Sequence, residues 1–336
     1  MLLTHILRRL LEAIPTLLGV AVAVFVILRL VPGDPIAMMI VGEATPEDIA
    51  AVRAAYGLDK SMAEQFVIYL RDLLTGNLGK SISLKQDVVA LVLDRLPATL
   101  ELALVSIVFS VVTGFALALA STYWRGFVAR ATDQFNSVAL AIPEFLWALL
   151  LVLLFGVALP VLPISGRIDP TQGFEFRTQF YLLESFLTLR WGQAWGVFQH
   201  MILPATALSL PLIAIIARVL KSSLVEALVQ DYILLARTKG FGPARVLLAH
   251  ALPNALMPTI TITGVHFTFL VGGTVLVELI FAYPGVGNML FGAAINRDLP
   301  LIQGVTILFA VIFVLMNLAV DLLCALVNVR LRSGKG

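Results

Sequence analysis

Residues 218–258 read RVLKSSLVEALVQDYILLARTKGFGPARVLLAHALPNALMP, a long polar-punctuated segment in a chain that otherwise passes from one apolar block to the next. From Ser222 to Lys239 the apolar residues Leu224, Val225, Leu228, Val229, Tyr232, Ile233, Leu235 and Ala236 recur at helical spacing. Ser222, Ser223, Glu226, Gln230, Asp231, Arg237 and Lys239 fill most of the other face, so the spacing predicts an amphipathic helix. The helix is expected to stop at Gly240, which lacks a Cβ and can take the left-handed cap conformation, with Gly242-Pro243 turning the chain. A shorter helix is expected from about Ala244, carrying Arg245 and His250 and interrupted at Pro253. A polar helix–glycine–helix hairpin, 218–253, thus separates two membrane-length apolar blocks. Taken alone it is also consistent with a surface-lying connector.

Working outward, 60% of the residues are hydrophobic and 13% charged, with a mean hydropathy of +0.97. A soluble domain carries roughly 25% charged residues. About half that share cannot cover a water-facing surface, so the composition predicts an all-α, polytopic membrane protein. The net charge of +2 and the absence of long basic runs argue against a nucleic-acid partner. Cys324 is the single cysteine, which excludes an intrachain disulfide and reads as a small buried hydrophobe.

Six blocks reach the roughly 20 residues that a helix needs to cross the hydrocarbon layer. They fall near 10–31, 98–121, 135–161, 199–220, 254–282 and 301–329. Pro15, Pro143, Pro160, Pro204, Pro211 and Pro258 predict kinks or span ends within them. The first block is too long for a cleaved signal and reads as a retained span, 1–31. Placing the N-terminus inside gathers Arg8, Arg9, Arg125, Arg130, Arg218, Lys221, Arg237, Lys239, Arg245, Arg330, Arg332 and Lys335 on the cytoplasmic side. Both termini and the hairpin are then cytoplasmic. Residues 32–97 form a small external subdomain, with helices expected at 45–56 and 62–75. Residues 98–336 form a five-span core with a second external segment at 162–198, whose form is not legible.

Several motifs lead nowhere catalytic. Gly76-x-x-Gly79-Lys80-Ser81 has two residues between its glycines where a phosphate loop needs four, and reads as a turn. None of His5, His200, His250 and His266 belongs to a zinc-protease pair, and no nucleophile elbow is present. The chain therefore reads as a non-enzyme. Acids in apolar blocks are functional candidates: Glu101 and Asp321, the latter with Asn317 one turn earlier, would couple ions if the chain were a self-sufficient secondary transporter. Interfacial placement with structural hydrogen bonds is the preferred reading for Glu101, Glu144 and Glu278.

Counting outward from Gly240 then brings out a resemblance. Binding-protein-dependent ABC importers carry a cytoplasmic permease signature, E-A-A, three residues, G, nine residues, I-x-L-P. Here Ala236, Gly240, Leu252 and Pro253 match it, while Leu234-Leu235 replace E-A and His250 replaces the isoleucine. Against the dipeptide, oligopeptide and nickel branch the likeness is closer and covers essentially the whole chain. It includes Asp231-Tyr232-Ile233, residues 236–240 and 250–256, Val31-Pro32-Gly33-Asp34-Pro35, residues 76–81, Pro97-Ala98-Thr99-Leu100-Glu101-Leu102, residues 281–287 and residues 317–322. Val329 stands where that branch usually has proline.

The chain thus resembles the B-type permeases of that branch. The resemblance implies six transmembrane helices of the type I ABC importer kind and a homologous second permease subunit. It further implies two cytoplasmic ATPase subunits and an external substrate-binding protein. Ala236, Arg237, Lys239, Gly240, Leu252 and Pro253 would then be ATPase-coupling residues. No cofactor is expected on this chain, ATP and Mg belonging to the ATPases, and short peptides or similar solutes are the expected cargo. The competing reading, a proton-coupled transporter working alone, is disfavoured by the scarcity of acids and the lack of an inverted repeat.

Overall fold

Apolar runs that must satisfy their own backbone in lipid can do so locally only as helices, and the computed structural model is built from them. It describes residues 2–30, 59–124 and 126–327; the expected helix 45–56 and the tail beyond 327 lie outside these. Helix α1 (Leu2–Leu30) is followed by α2 (Met62–Leu74), α3 (Val88–Tyr123), α4 (Phe127–Ala141) and α5 (Glu144–Val152), which runs on through a π-turn at Leu153–Ala158. A 3-10 turn (Pro170–Gln172) and α6 (Tyr181–Leu187) lead into α7 (Trp191–Ala227). Next come α8 (Asp231–Thr238), the one-turn α9 (Pro243–Arg245) with a π-turn at Val246–Ala251, α10 (Leu252–Ile280), α11 (Val286–Ile295) and α12 (Leu299–Val327). Among the described residues, five helices are long and apolar enough to cross a membrane, or six if the bent pair formed by α4 and α5 is one span.

The prolines divide. Pro143 stands at the break between α4 and α5, where the third block bends by 102°, and Pro160 lies just past the π-turn. Pro15, Pro204, Pro211 and Pro258 instead sit inside continuous helices. In α7, Pro204 is buried, and small residues of α3 lie against the helix further along. A Cβ on Gly114 of α3 would come within 2.8 Å of Ile216 Cγ2 and 3.1 Å of the Ile213 carbonyl oxygen. Ser209 Oγ donates to the Ser106 carbonyl across the same interface at 2.9 Å. At about 1.5 Å per residue, α3 and α7 each exceed 50 Å, well over the roughly 30 Å of hydrocarbon.

The chain divides into two compact units, one from 1–97 and 285–314, the other from 98–284 and 315–336. In the first, α2 opens with a reciprocal cap, Ser61 Oγ accepting from Glu64 N and Glu64 Oε2 accepting from Ser61 N at 3.0 Å. Its aromatic side meets α1 through Phe25 and Phe66, ring centroids 5.0 Å apart, while Arg29 Nε donates to Gln65 Oε1 at 3.0 Å. The turn at 76–81 is tied to α12. Ser81 Oγ and Ser83 Oγ donate to Asp298 Oδ2 at 2.6 and 2.7 Å, the Ser83 amide adds a bond at 2.9 Å, and Asp298 Oδ1 accepts from Leu301 N at 3.2 Å. Burial alone would raise the Asp298 carboxyl, but the Ser81 and Ser83 donors outweigh it and hold the group below the usual range. Ser81 therefore serves a carboxylate anchor.

The second unit has two cores. One gathers Ala98, Leu102, Val197, Met201, Leu208, Val277, Phe281 and Tyr283; the other gathers Leu220, Leu224, Ile233, Ala236, Val246, Leu247, Ala251 and Ala255. The second core lies beneath the 218–253 hairpin.

Candidate functional site

The hairpin departs from the single helix expected over 222–239. Helix α7 carries the chain to Ala227, residues 228–230 break it, and α8 restarts at Asp231. At the far end, Gly240 has φ +79°, the left-handed region, and nothing lies within 4 Å of the position its Cβ would occupy. Gly240 N donates to the Arg237 carbonyl at 2.9 Å and Phe241 N to the Ala236 carbonyl at 3.3 Å. These are the two bonds of a Schellman cap, and the accompanying apolar contact is present, since Phe241 packs on the core that holds Ala236. Gly242 then caps α9 with Pro243 at its first turn.

Pro253 does not interrupt the following helix as expected. The chain continues from α9 through the π-turn into α10, and Pro253 stands just past that π-turn, whose last bond runs from Leu252 N to the Leu247 carbonyl. Around the turn, Phe241 stacks with His250 at 5.2 Å between centroids and carries the Arg245 guanidinium at 4.3 Å. Lys221 Nζ, at the approach to the elbow, pairs with Asp133 of α4 at 2.6 Å.

The elbow presents two surfaces. Ile233 and Ala236, three residues apart on α8, are buried against Val246, Leu247 and Ala251. Val225, Val229, Tyr232 and Leu235, expected on the same inward stripe, are exposed, Val229 at 78% and Leu235 at 56%, and Leu234 joins them at 62%. Arg237, Lys239, Gly240, Arg245 and Pro253 are exposed beside them, and Leu252 is half-buried. Four or more exposed aliphatic side chains edged with three cations, on a turn fixed from below, make a surface suited to insertion into a partner's groove.

A separate buried polar cluster gathers around Glu101. Arg167, from the segment 162–198, donates from one guanidinium nitrogen to Glu101 Oε2 and to the Gln179 carbonyl, each at 2.7 Å, and both ion-pair partners are almost fully buried. Leu183 N donates to Glu101 Oε1 at 2.9 Å, and the guanidinium lies 3.9 Å over the Tyr181 ring. Tyr283 is fully buried nearby; burial pushes its phenol up and Arg167 pulls the other way. Glu278 accepts from Thr99 Oγ1 at 2.7 Å, with both residues fully buried.

Structural hydrogen bonding thus accounts for Glu101 and Glu278, though deep in the unit. Glu144 has no hydrogen bond or ion pair among the described residues. Asn317 and Asp321 lie half-buried one turn apart on α12. Arg167 leaves no signal in the sequence, because its partner lies 66 residues away and its own segment has no periodicity.

The segment around Arg167 has a definite form. Asp169 caps the 3-10 turn by accepting from Thr171 N at 2.9 Å, and Phe176 stacks on Tyr181 at 4.0 Å. Glu184 accepts from the amides of Arg177 and Thr178 at 2.8 and 2.7 Å, and these bonds with the Thr178 hydroxyl hold its carboxyl below the usual range.

Two family models cover the sequence. The model of the binding-protein-dependent transport system inner membrane component matches residues 75–333, and that of the N-terminal part of such membrane components matches 2–103. The di/tripeptide transport system permease protein DppB of Pseudomonas aeruginosa is 38% identical over 334 residues, spanning 98% of this chain and 99% of that protein. The dipeptide permease DppB of Escherichia coli K12 is 36% identical over 344 residues, spanning 99% and 100%. The glutathione permease GsiC of Salmonella typhi is 35% identical over 332 residues, spanning 98% and 99%. A transporter working alone on a proton gradient is not favoured by these matches. The chain belongs to the inner-membrane components of binding-protein-dependent transport systems, the multi-pass, non-enzymatic permease subunits of ABC importers.

Proposed function

We propose that this permease carries short peptides or similarly sized solutes inward, with the elbow 218–253 as the point where ATPase subunits drive it. The reading rests on one observation above others: an exposed aliphatic and basic surface backed by a buried core and locked by a Schellman cap at Gly240. A docking element transmits push and twist only if its orientation to the spans is fixed. Here the core under Ile233 and Ala236 and the continuous run into α10 supply that fixity.

Ala236 and Leu252 act from the core side of the elbow, and Arg237, Lys239, Gly240 and Pro253 from its surface. The elbow and both termini face the cytoplasm, by the distribution of Lys and Arg. Residues 32–97 and 162–198 face outward, where a substrate-binding protein delivers cargo. A homologous second permease completes the pathway, and two ATPases hold the ATP and Mg. Peptide cargo is supported by the names of the relatives, which are di/tripeptide, dipeptide and glutathione permeases.

Leu235→Asp tests this reading, since it alters an exposed residue and leaves the core under Ile233 untouched. In membranes containing the co-expressed importer, the variant is expected to retain the ATPases at least about tenfold less well, as for loss of a central apolar anchor. Wild-type ATPase retention with wild-type uptake would refute the docking role.

A further inference from the structure

Glu144 is the first residue of α5, directly after the break at Ile142-Pro143. Its carboxyl reaches α10: a Cβ on Gly273 would lie 3.1 Å from Oε2 and 3.8 Å from Oε1. A glycine at 273 is what admits the carboxylate so close to the helix backbone. Glu144 is half-buried and, among the described residues, has neither a hydrogen bond nor an ion pair, unlike Glu101 and Glu278.

Magnitudes decide what such a group can face. An acid in the hydrocarbon costs at least about 2.5–3.5 kcal/mol. The favourable field of a helix N-terminus returns only about 0.3–1 kcal/mol at exposed sites. The open side of Glu144 therefore does not face lipid. The break beside it points the same way, because irregular backbone within an apolar block persists only where protein or a water-lined cavity covers it. Both constraints apply whether α4 and α5 form one broken span or a re-entrant loop. A half-exposed carboxylate without a protein partner among the described residues is chemically a seat for a cation, and an ammonium group with three donors fits it.

We propose that Glu144, admitted against α10 by Gly273, lines the solute pathway and holds a primary ammonium group of the solute in transit, such as the free N-terminus of a peptide. The ammonium assignment rests on the peptide reading above; the pathway assignment rests on the membrane setting alone.

Two measurements on the assembled importer, in a Cys324→Ala background, test it. In the first, Glu144→Cys and Leu149→Cys, the latter an exposed apolar position on another face of α5, are treated with a membrane-impermeant quaternary-ammonium methanethiosulfonate. Modification is read on this chain by mass spectrometry, with and without ATP. The thiol at 144 is expected to react at least about tenfold faster in one nucleotide state, as a water-exposed group against a lipid-exposed one. Equal rates in every state would overturn the pathway assignment.

In the second, ATP-driven uptake of alanyl-alanine and of its N-acetyl form is compared in the wild type and the near-isosteric Glu144→Gln, normalised to assembled complex. The substitution is expected to lower alanyl-alanine uptake about tenfold, the scale of a lost close charge pair, and to leave the ratio between the two forms near one. Wild-type alanyl-alanine uptake by Glu144→Gln, with the thiol reactive, would overturn the ammonium assignment. A wild-type importer that takes up no alanyl-alanine contradicts the peptide reading instead, and the thiol rates still decide the pathway.

Discussion

Replacing Arg167 by methionine removes one half of the most enclosed ion pair in the described structure. Arg167 and Glu101 are 4% and 6% exposed, 2.7 Å apart. After the change, Glu101 keeps one described donor, Leu183 N, and loses the charge that balances it. The segment also loses the bond to the Gln179 carbonyl and the guanidinium over Tyr181. Breaking a buried pair from one side costs about 3–5 kcal/mol.

Glu101→Gln should be milder, because the amide oxygen still accepts while Arg167 keeps its carbonyl and ring partners. The double variant should fall below the sum of the singles, since no uncompensated charge remains. Hydrogen exchange of the segment around Gln179 and Leu183, measured in lipid nanodiscs, reads these changes as opening frequencies. Arg167→Met is expected to speed exchange about a hundredfold or more, at about 1.4 kcal/mol per factor of ten. Unchanged exchange in Arg167→Met, or strictly additive effects in the double variant, would refute the view that this pair clamps the segment 162–198.

At Gly240 the cost of a side chain is backbone strain alone, because no atom stands near the would-be Cβ. Gly240→Ala should cost about 1–2 kcal/mol, Gly240→Asn less and Gly240→Val more, and uptake by the reconstituted importer should fall in that order; equal rates would contradict the cap's role. The Asp298 anchor makes a pH prediction. A carboxyl held below its unfolded value of about 3.9 contributes stability that is complete above that pH and is lost as pH falls through the lower folded value. Ser81→Ala removes the 2.6 Å donor. It should cost about 1.5–3 kcal/mol and move the acid transition to higher pH, as monitored by exchange of the 76–85 turn between neutral pH and pH 3.

Much of this architecture follows from residue pattern, and the failures have identifiable causes. Gly240 was legible because a left-handed cap favours a residue without Cβ, and Phe241 one step later supplies the apolar contact. The break at 228–230 was not, because Val225, Val229, Tyr232 and Leu235 keep the helical period across it. Periodicity marks an apolar face without saying whether the chain's own core or a partner covers it, and here the structure leaves those four exposed. Pro143 breaks its block whereas Pro204 and Pro211 do not. Nothing local in the sequence marks that difference, and α7 is a helix packed along its length, with Gly114 and Ser106 of α3 against Ile216 and Ser209. The loop at 76–81 is a turn by its glycine spacing and in the structure alike, but its tie to Asp298 spans 217 residues and leaves no local trace.

The central claim is that separate ATPase subunits grip the chain at the elbow. A photoreactive phenylalanine analogue at Leu235, exposed on α8, and another at Leu183, exposed on α6, would be irradiated in the intact importer. The account predicts a cross-link to an ATPase subunit from position 235 and none from 183. Cross-links from 235 only to lipid or to an external binding protein, with the ATPases present and active, would contradict it.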